Sequence, residues 1–366
     1  MDRGKERLGM EIPRLLAQGL DSLYVSFWLD VACGDLDFDD LAFRKEQLRQ
    51  SRNVGFAEVR LGREHFALKP FGRHPYPFVL ANDAFELRLG EHLRPACYVQ
   101  FASKGLWLSG LEGTISRFRE WAASCRLLET RPEQVSRADW AFDYHLPVAD
   151  FTAGNFVTRA TKSAVWAEHG ANQSFQIGKG DTVIRVYDKI AEIEQQSAKA
   201  WLFEIWGRQT EVWRVEFQVR RERLALGGIG TLASLHDEGG DLLRELATKH
   251  TSLRQPSTDA NRSRWPLHPL WLAVLRDIDR LPQTGLIRAI DPGGSIEWRL
   301  FQQAKSLYGS LKGLGALLSI RGGKPAPKSL AGILGDLPGI LARHHSEPEW
   351  HADLERRMTG YRLGQW

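Results

Sequence analysis

Cysteine is scarce in this chain of 366 residues: Cys33, Cys97 and Cys125 lie far apart, odd in number and with no Cys-x-x-Cys pair. That excludes a disulfide framework and a thiolate zinc site, and a reduced, cytoplasmic protein is expected. Long apolar runs are missing too. LWLAVL (270–275) and LAGILGDLPGILA (330–342) are too short or too interrupted to cross a bilayer. Arg14 breaks the only apolar stretch of a charged N-terminus, so neither a signal peptide nor a membrane partner is expected. Nor is there a marked excess of one charge. With 49 Lys and Arg against 45 Asp and Glu, the net charge is +4, so any nucleic-acid surface must arise from local placement. No His-x-His, phosphate-binding G-x-x-x-x-G-K-[ST], G-x-S-x-G or H-E-x-x-H motif occurs, which removes the chemistries those motifs carry.

What is present is the composition of an ordinary globular protein, long enough for two domains or for one large mixed domain with a helical extension. After a helical lead-in, DSLYVSFWLD (21–30) reads as a strand. Residues 38–53 read as a helix with aspartates near its start and Leu41, Phe43 and Leu48 on one side. Five short alternating runs follow: FAEVRLG, HFALKPFG, PFVLAND, AFELRLG and ACYVQFA. Gly, Pro and Asn-Asp part them, as expected of antiparallel strands joined by turns. A helix over 112–128 closes this half.

The second half has a loosely similar order: a strand over 137–146, a short helix over 149–162, the hairpin SFQIGKGDTVIRVYDK turning at Gly178–Asp181, a helix over 190–206 and a strand over 211–220. Residues 1–225 are thus expected to form one α+β domain, with pseudo-repeated halves 20–130 and 137–225. From 226 to 366 the pattern is helical, with segments at about 230–249, 269–281, 294–320, 328–343 and 348–358. GGKPAPK (322–328) reads as a linker. The expected fold class is α+β, a largely antiparallel central sheet flanked by helices, with a helical C-terminal region.

Three strands of the second half carry polar residues at alternate positions. Because strand side chains alternate between faces, RADWAFDY (137–144) puts Asp139 and Asp143 on one face. TVIRVYDK (182–189) adds Arg185, Tyr187 and Lys189, and EVWRVEFQVR (211–220) adds Arg214, Glu216, Gln218 and Arg220. The other face collects Trp140, Phe142, Tyr144, Trp213, Val215 and Phe217, with Val183 out of phase with Ile184 and Val186. A face carrying three carboxylates, a phenol and several cations points to phosphate chemistry.

Each element has an ordinary reading beside it. A phenol with a pKa near 10 needs cations, a metal or a base to act as a nucleophile, and Arg185 and Lys189 flank Tyr187. An isolated RVYDK reads better as a half-buried tyrosine with snorkelling basic neighbours, and it is the flanking carboxylate strands that favour the nucleophile. Asp139 and Asp143 repel each other unless neutralised. A hard cation, Mg²⁺ or Mn²⁺, held with Glu216 would do so, and so would ion pairs with Arg137, Arg185 and Arg214. Spacing leaves both open. The basic runs Arg220-Arg221-Glu222-Arg223 and Arg262-Ser263-Arg264-Trp265 identify no ligand unaided.

In order and spacing, S-R-A-D-W-A-F-D-Y, F-Q-I-G-K-G-D-T-V-I-R-V-Y-D-K and W-R-V-E-F-Q-V-R-R-E-R resemble the replication initiation factor (Rep_trans) family of rolling-circle initiators and relaxases. The resemblance covers about 137–224, and RSRWPLHPLW (262–271) is similar to a later stretch of the same family. It implies an enzyme that nicks and rejoins one DNA strand at an origin through a 5′-phosphotyrosine. The family's R-x-Y-[DN]-K motif places the nucleophile on Tyr187, with Arg185 and Lys189 beside it. Its acidic strand positions fall on Asp139, Asp143 and Glu216 as ligands of Mg²⁺ or Mn²⁺. Asp188, facing away on a regular strand, is left out. Arg137, Arg214, Arg220 and Arg221 are then the expected nucleic-acid contacts. The implied partners are single-stranded or hairpin origin DNA, a host helicase and a second copy of the chain, since one tyrosine in the motif leaves termination needing another nucleophile. Two rivals stand beside this: a non-catalytic DNA-binding replication or regulatory protein of the same fold, and a metal-dependent nuclease using water.

Overall fold

The computed structural model describes residues 12–51, 55–168, 171–197, 199–282, 292–322, 327–342 and 345–362. In chain order the first half comprises β1 (Arg14–Asp30), α1 (Phe38–Gln50), β2 (Ala57–Leu61), β3 (Glu64–Leu68), β4 (Phe78–Ala81), β5 (Phe85–Leu89), β6 (Cys97–Phe101) and α2 (Ser103–Ser124). The second half follows with β7 (Leu128–His145), β8 (Phe156–Thr158), β9 (Ser163–Glu168), β10 (Ala171–Ile177), β11 (Thr182–Asp188), α3 (Lys189–Glu192), α4 (Leu202–Trp206) and β12 (Val212–Arg220). Then come α5 (Arg221–Leu226), α6 (Leu232–Glu245), β13 (Thr251–Leu253), α7 (Pro269–Ile278), α8 (Pro292–Arg321), α9 (Leu330–Leu341) and α10 (Glu347–Arg362).

The architecture is α+β. Eleven strands form one antiparallel sheet in the order β2-β3-β4-β5-β6-β1-β7-β12-β11-β10-β9, and β8 pairs with β13 in a second, two-stranded sheet. The long strands β1 and β7 run together from Arg14↔His145 to Asp30↔Leu128, with several register shifts between. On either side the last strand of each half returns beside its first: β6 next to β1, and β12 next to β7. The chain divides into two compact units, Met1–Ala289 and Ile290–Trp366. In the second unit Leu311 and Leu318 of α8 pack with Ile333 of α9. None of the described helices is long and apolar enough to cross a membrane.

One face of the large sheet is buried under helices. Phe27 meets Phe118 of α2 with ring centroids 4.3 Å apart, and Phe217 meets Trp271 of α7 at 6.3 Å. Gly239 of α6 lies so close that a Cβ there would be 3.2 Å from the Trp140 ring. The five short strands β2 to β6 lie where their alternation and turn residues place them.

Elsewhere the structure corrects the sequence reading. Residues 14–20 are strand, not a helical lead-in; residues 1–11 lie outside the described set. Helix α2 begins nine residues earlier than 112 and turns at Gly110, whose φ of 70° only glycine adopts cheaply. No helix forms over 149–162: a single 3₁₀ turn at Ala153–Asn155, closed by Thr152 and Asn155, leads into β8, and β9 follows. The 190–206 helix is broken into α3, a π-turn at Ile193–Ser197 and α4. Val183 pairs with Gln218 and so shares its face, leaving Ile184 and Val186 on the apolar side in a regular register. The 322–328 linker falls largely outside the described residues.

Candidate active site on the polar face

Residues directly opposite each other in an antiparallel sheet share a face. Pairing therefore sets Asp143, Arg214, Tyr187, Ser174 and Trp166 in one row across β7, β12, β11, β10 and β9. The next row holds Glu216, Arg185 and Gln176, and Asp139 lies opposite Gln218. Much of this polar face opens into a cavity of about 1030 Å³, lined by Arg137, Asp139, Trp166, Arg185, Tyr187 and Glu216 among others.

Tyr187 stands on the cavity side, not in the apolar core, although its side chain is nearly covered. Its hydroxyl donates to Glu216 Oε2 at 2.8 Å. Glu216 Oε1 accepts from Arg185 at 2.9 Å, and Arg185 also donates to Gln176 at 3.2 Å. Burial pushes the phenol well above its ordinary pKa, the Glu216 charge pushes it further, and Arg214 opposes both. The tyrosine is thus protonated at rest, and its hydrogen is already aimed at a carboxylate.

Asp139 is held by Arg137, whose Nε donates at 2.8 Å, and Arg137 stacks 4.9 Å from the Tyr24 ring. Burial raises the Asp139 carboxyl to about 6; Arg137 works against this, and Glu216 adds to it. Lys189 does not extend the strand. Asp188 caps α3 by accepting from the Ile190 and Ala191 amides at 2.9 and 3.2 Å, which makes Lys189 the first helical residue. The lysine still reaches the site, with Nζ 5.5 Å from the Tyr187 centroid and Glu192 as its ion-pair partner. Burial, then Arg214, lowers its pKa.

Asp143 does not join the other two acids. It lies on the same face but is covered there, at 0% exposure, accepting from Arg214 Nε at 2.6 Å, a second Arg214 nitrogen at 2.8 Å and Trp206 Nε1 at 3.0 Å. Arg214, also 0% exposed, reaches on to Asp21 at 2.8 Å. Asp21 gathers Ser103 at 2.8 Å, Trp107 at 3.1 Å and Lys199 at 3.0 Å. Burial alone would raise the Asp21 carboxyl; Arg214 and Lys199 outweigh it and hold it well below the usual carboxylate range. Of the two neutralising schemes left open by spacing, the ion-pair one is present at all three acids: Arg137 with Asp139, Arg185 with Glu216 and Arg214 with Asp143.

Among the described residues no cluster of three or more His, Cys, Asp and Glu has a metal-holding arrangement. Three-carboxylate ligation by Asp139, Asp143 and Glu216 is therefore not what this face offers. Asp139 and Glu216 are the acids left on the cavity wall that could hold a hard cation of the Mg²⁺ kind, which commonly uses one or two carboxylates with water and substrate phosphate, in exchange for the Arg137 and Arg185 ion pairs they make here. The cavity wall carries five Asp and Glu side chains against four Lys and Arg, so a polyanion meets no net positive charge there without an added cation.

The expected nucleic-acid contacts divide. Arg137 lines the cavity, while Arg214 is sealed below it. Arg221 is turned to the Val135 and Ile229 carbonyls at 3.3 and 3.4 Å, and exposed Arg220 ends β12 opposite Arg137 without itself lining the cavity. In the 262–271 stretch, Trp265 Nε1 donates to the Asp259 carbonyl at 2.7 Å and His268 caps α7 while meeting Asp150 at 2.9 Å, so this segment packs. Asp21, Lys199 and Trp166 were missed from the sequence. Only Asp21 carried a signal, an aspartate entering a run of aromatic and branched residues.

No family model matches the chain, and no curated protein matches its sequence. Among solved structures, the rolling circle replication initiator protein from Geobacillus stearothermophilus is similar to it. Identity is 17%, the match covers 72% of this chain and 97% of that one, and the TM-score is 0.41. At that level the likeness carries no weight on chemistry, which has to be read from the site.

Proposed function

We propose that the protein nicks and rejoins one DNA strand, as a rolling-circle replication initiator or relaxase does, with Tyr187 as nucleophile. The observation that carries this is the 2.8 Å bond from the Tyr187 hydroxyl to Glu216, made on the wall of a cavity that Arg137 and Arg185 also line. Tyr187 Oη attacks the phosphorus, the bond to the 3′-oxygen breaks, and a 5′-phosphotyrosine forms. The phenolic proton passes to Glu216, and the departing 3′-oxygen takes a proton from water to leave a 3′-OH for a polymerase. Reversal of these steps rejoins the strand. In this reading Arg185 and Lys189 stabilise charge on the phosphoryl oxygens. Asp139 and Glu216 are the side chains that would hold Mg²⁺ or Mn²⁺, which when bound supplies positive charge at the scissile phosphate and favours the phenolate.

Incubation of the full chain with labelled single-stranded DNA from its own genetic neighbourhood, with Mg²⁺, tests the reading. A downstream DNA fragment linked to the protein through its 5′ phosphate, mapping to the Tyr187 peptide and absent from Tyr187→Phe, is the expected result. A second reading, DNA binding without cleavage, is favoured by the 8% exposure of Tyr187 and the raised pKa of its phenol. It predicts bound but uncut DNA. Cleavage that persists in Tyr187→Phe without an adduct would assign the reaction to water instead.

A further inference from the structure

The cavity wall beyond Tyr187 has a different chemistry from the wall near the acids. Trp166 lines it from β9, the edge strand of the sheet, and its side chain is 51% exposed. Register, and not only the edge position, turns it there. Trp166 pairs with Ser174, which pairs with Tyr187, so indole and phenol share a face two strands apart. Val165, also exposed, pairs with Phe175 and belongs to the opposite face, where its exposure reflects the open edge alone. Two strand spacings amount to ~10 Å. That is about three nucleotide steps at ~3.4 Å each.

Several primary amides line the cavity: Gln173 and Gln176 on β10, the strand next to Trp166, and Gln195 and Gln196. Gln195 and Gln196 come from the π-turn at Ile193–Ser197, a distortion that recurs at functional sites. Primary amides make poor phosphate anchors beside guanidinium groups, but they match the donor and acceptor edges of bases. A flat, half-open indole offers a face on which any base stacks.

Resting on the nicking reading for its choice of ligand, we propose that this wall is a nucleobase subsite. Trp166 stacks a base within a few nucleotides of the scissile phosphate, and the glutamines, led by Gln196, hydrogen-bond the base edge. Trp166 acts here as a positioning residue: it holds the strand so that phosphorus lies before Tyr187, and it takes no part in bond exchange.

The test measures binding of the full chain, by fluorescence anisotropy, to oligothymidylate of about 12 nucleotides, within the site sizes of single-strand-binding folds. An abasic oligomer of equal length carries the same phosphates without bases. Wild-type protein is expected to favour the oligothymidylate. Trp166→Ala should lose about 5- to 150-fold of that preference, the range one base stacked on an aromatic ring supplies. Trp166→Phe should keep most of it, abasic binding should stay unchanged in both, and Gln196→Leu should alter the ranking of oligoadenylate against oligothymidylate. An unaltered preference in Trp166→Ala overturns the subsite, as does a shift from dimer to monomer in that variant, which would assign the indole to a contact between copies. Because binding alone is read, failure of Tyr187 to form an adduct leaves this outcome independent.

Discussion

Replacing Asp143 with alanine should damage the fold and leave the metal response intact. Arg214 is 0% exposed and spends three hydrogen bonds on two carboxylates, at 2.6 and 2.8 Å to Asp143 and 2.8 Å to Asp21. Its guanidinium also lies 5.5 Å from the Trp107 ring, and no water reaches it to replace a lost partner. Deleting one member of such a buried pair costs about 3–5 kcal/mol, against a total stability of ~5–15 kcal/mol for a typical domain. Urea unfolding of Asp143→Ala should therefore show its midpoint about 1–2 M lower. The double variant Asp143→Leu, Arg214→Met should recover most of the loss, because apolar side chains of similar volume replace both charges while Lys199 continues to neutralise Asp21 at 3.0 Å. Added Mg²⁺ should shift wild type and double variant by the same amount. A single variant costing less than about 1 kcal/mol, or a double variant whose cost is the sum of its two singles, would refute the reasoning, since either denies the coupling. Selective loss of the Mg²⁺ response in the double variant would return Asp143 to the ligand set.

Two shorter expectations accompany it. Asp21 has a folded pKa depressed by Arg214 and Lys199, so its contribution to stability is complete above the unfolded value near 4 and declines as pH falls below it. Thermal unfolding followed from pH 6 to pH 3 should show a steeper fall for wild type than for Asp21→Asn, and parallel curves would contradict the assignment. Gly178 opens the β10–β11 turn at φ +92°, and a Cβ there would lie 2.4 Å from the Thr182 carbonyl oxygen. Gly178→Ala should lower stability by more than about 1 kcal/mol, a loss read from the urea midpoint, whereas Gly180→Ala, with open space around its Cβ position, should cost less.

Strands β2 to β6 were readable because alternation and turn residues are local properties that agree with the fold. The same holds for the polar stripe of β7, β11 and β12, whose period of two was visible residue by residue. What could not be read was set by partners distant in the chain. Residues 14–20 lack the branched and aromatic enrichment of a strand, and they extend because the far end of β7 is there to pair with them. The 149–162 segment looked helical until Thr152 and Asn155 closed a single turn and Phe156–Thr158 found β13. Choosing between a cation and an arginine for Asp143 required knowing that Arg214 stands directly opposite, which only strand register supplies. Lys189 was aimed correctly for the wrong reason, since Asp188 converts the strand end into a helix start.

The spine formed by β1 and β7 has a consequence during synthesis. β1 acquires its neighbour on one side once Cys97–Phe101 has been made, but its other flank has no partner until Leu128–His145 follows. Until then a 17-residue ribbon presents a row of unsatisfied amides and carbonyls to whatever is nearby. A nascent chain halted between these two points would be sticky along that flank, and the order of translation thus sets when this molecule is most exposed to mispairing.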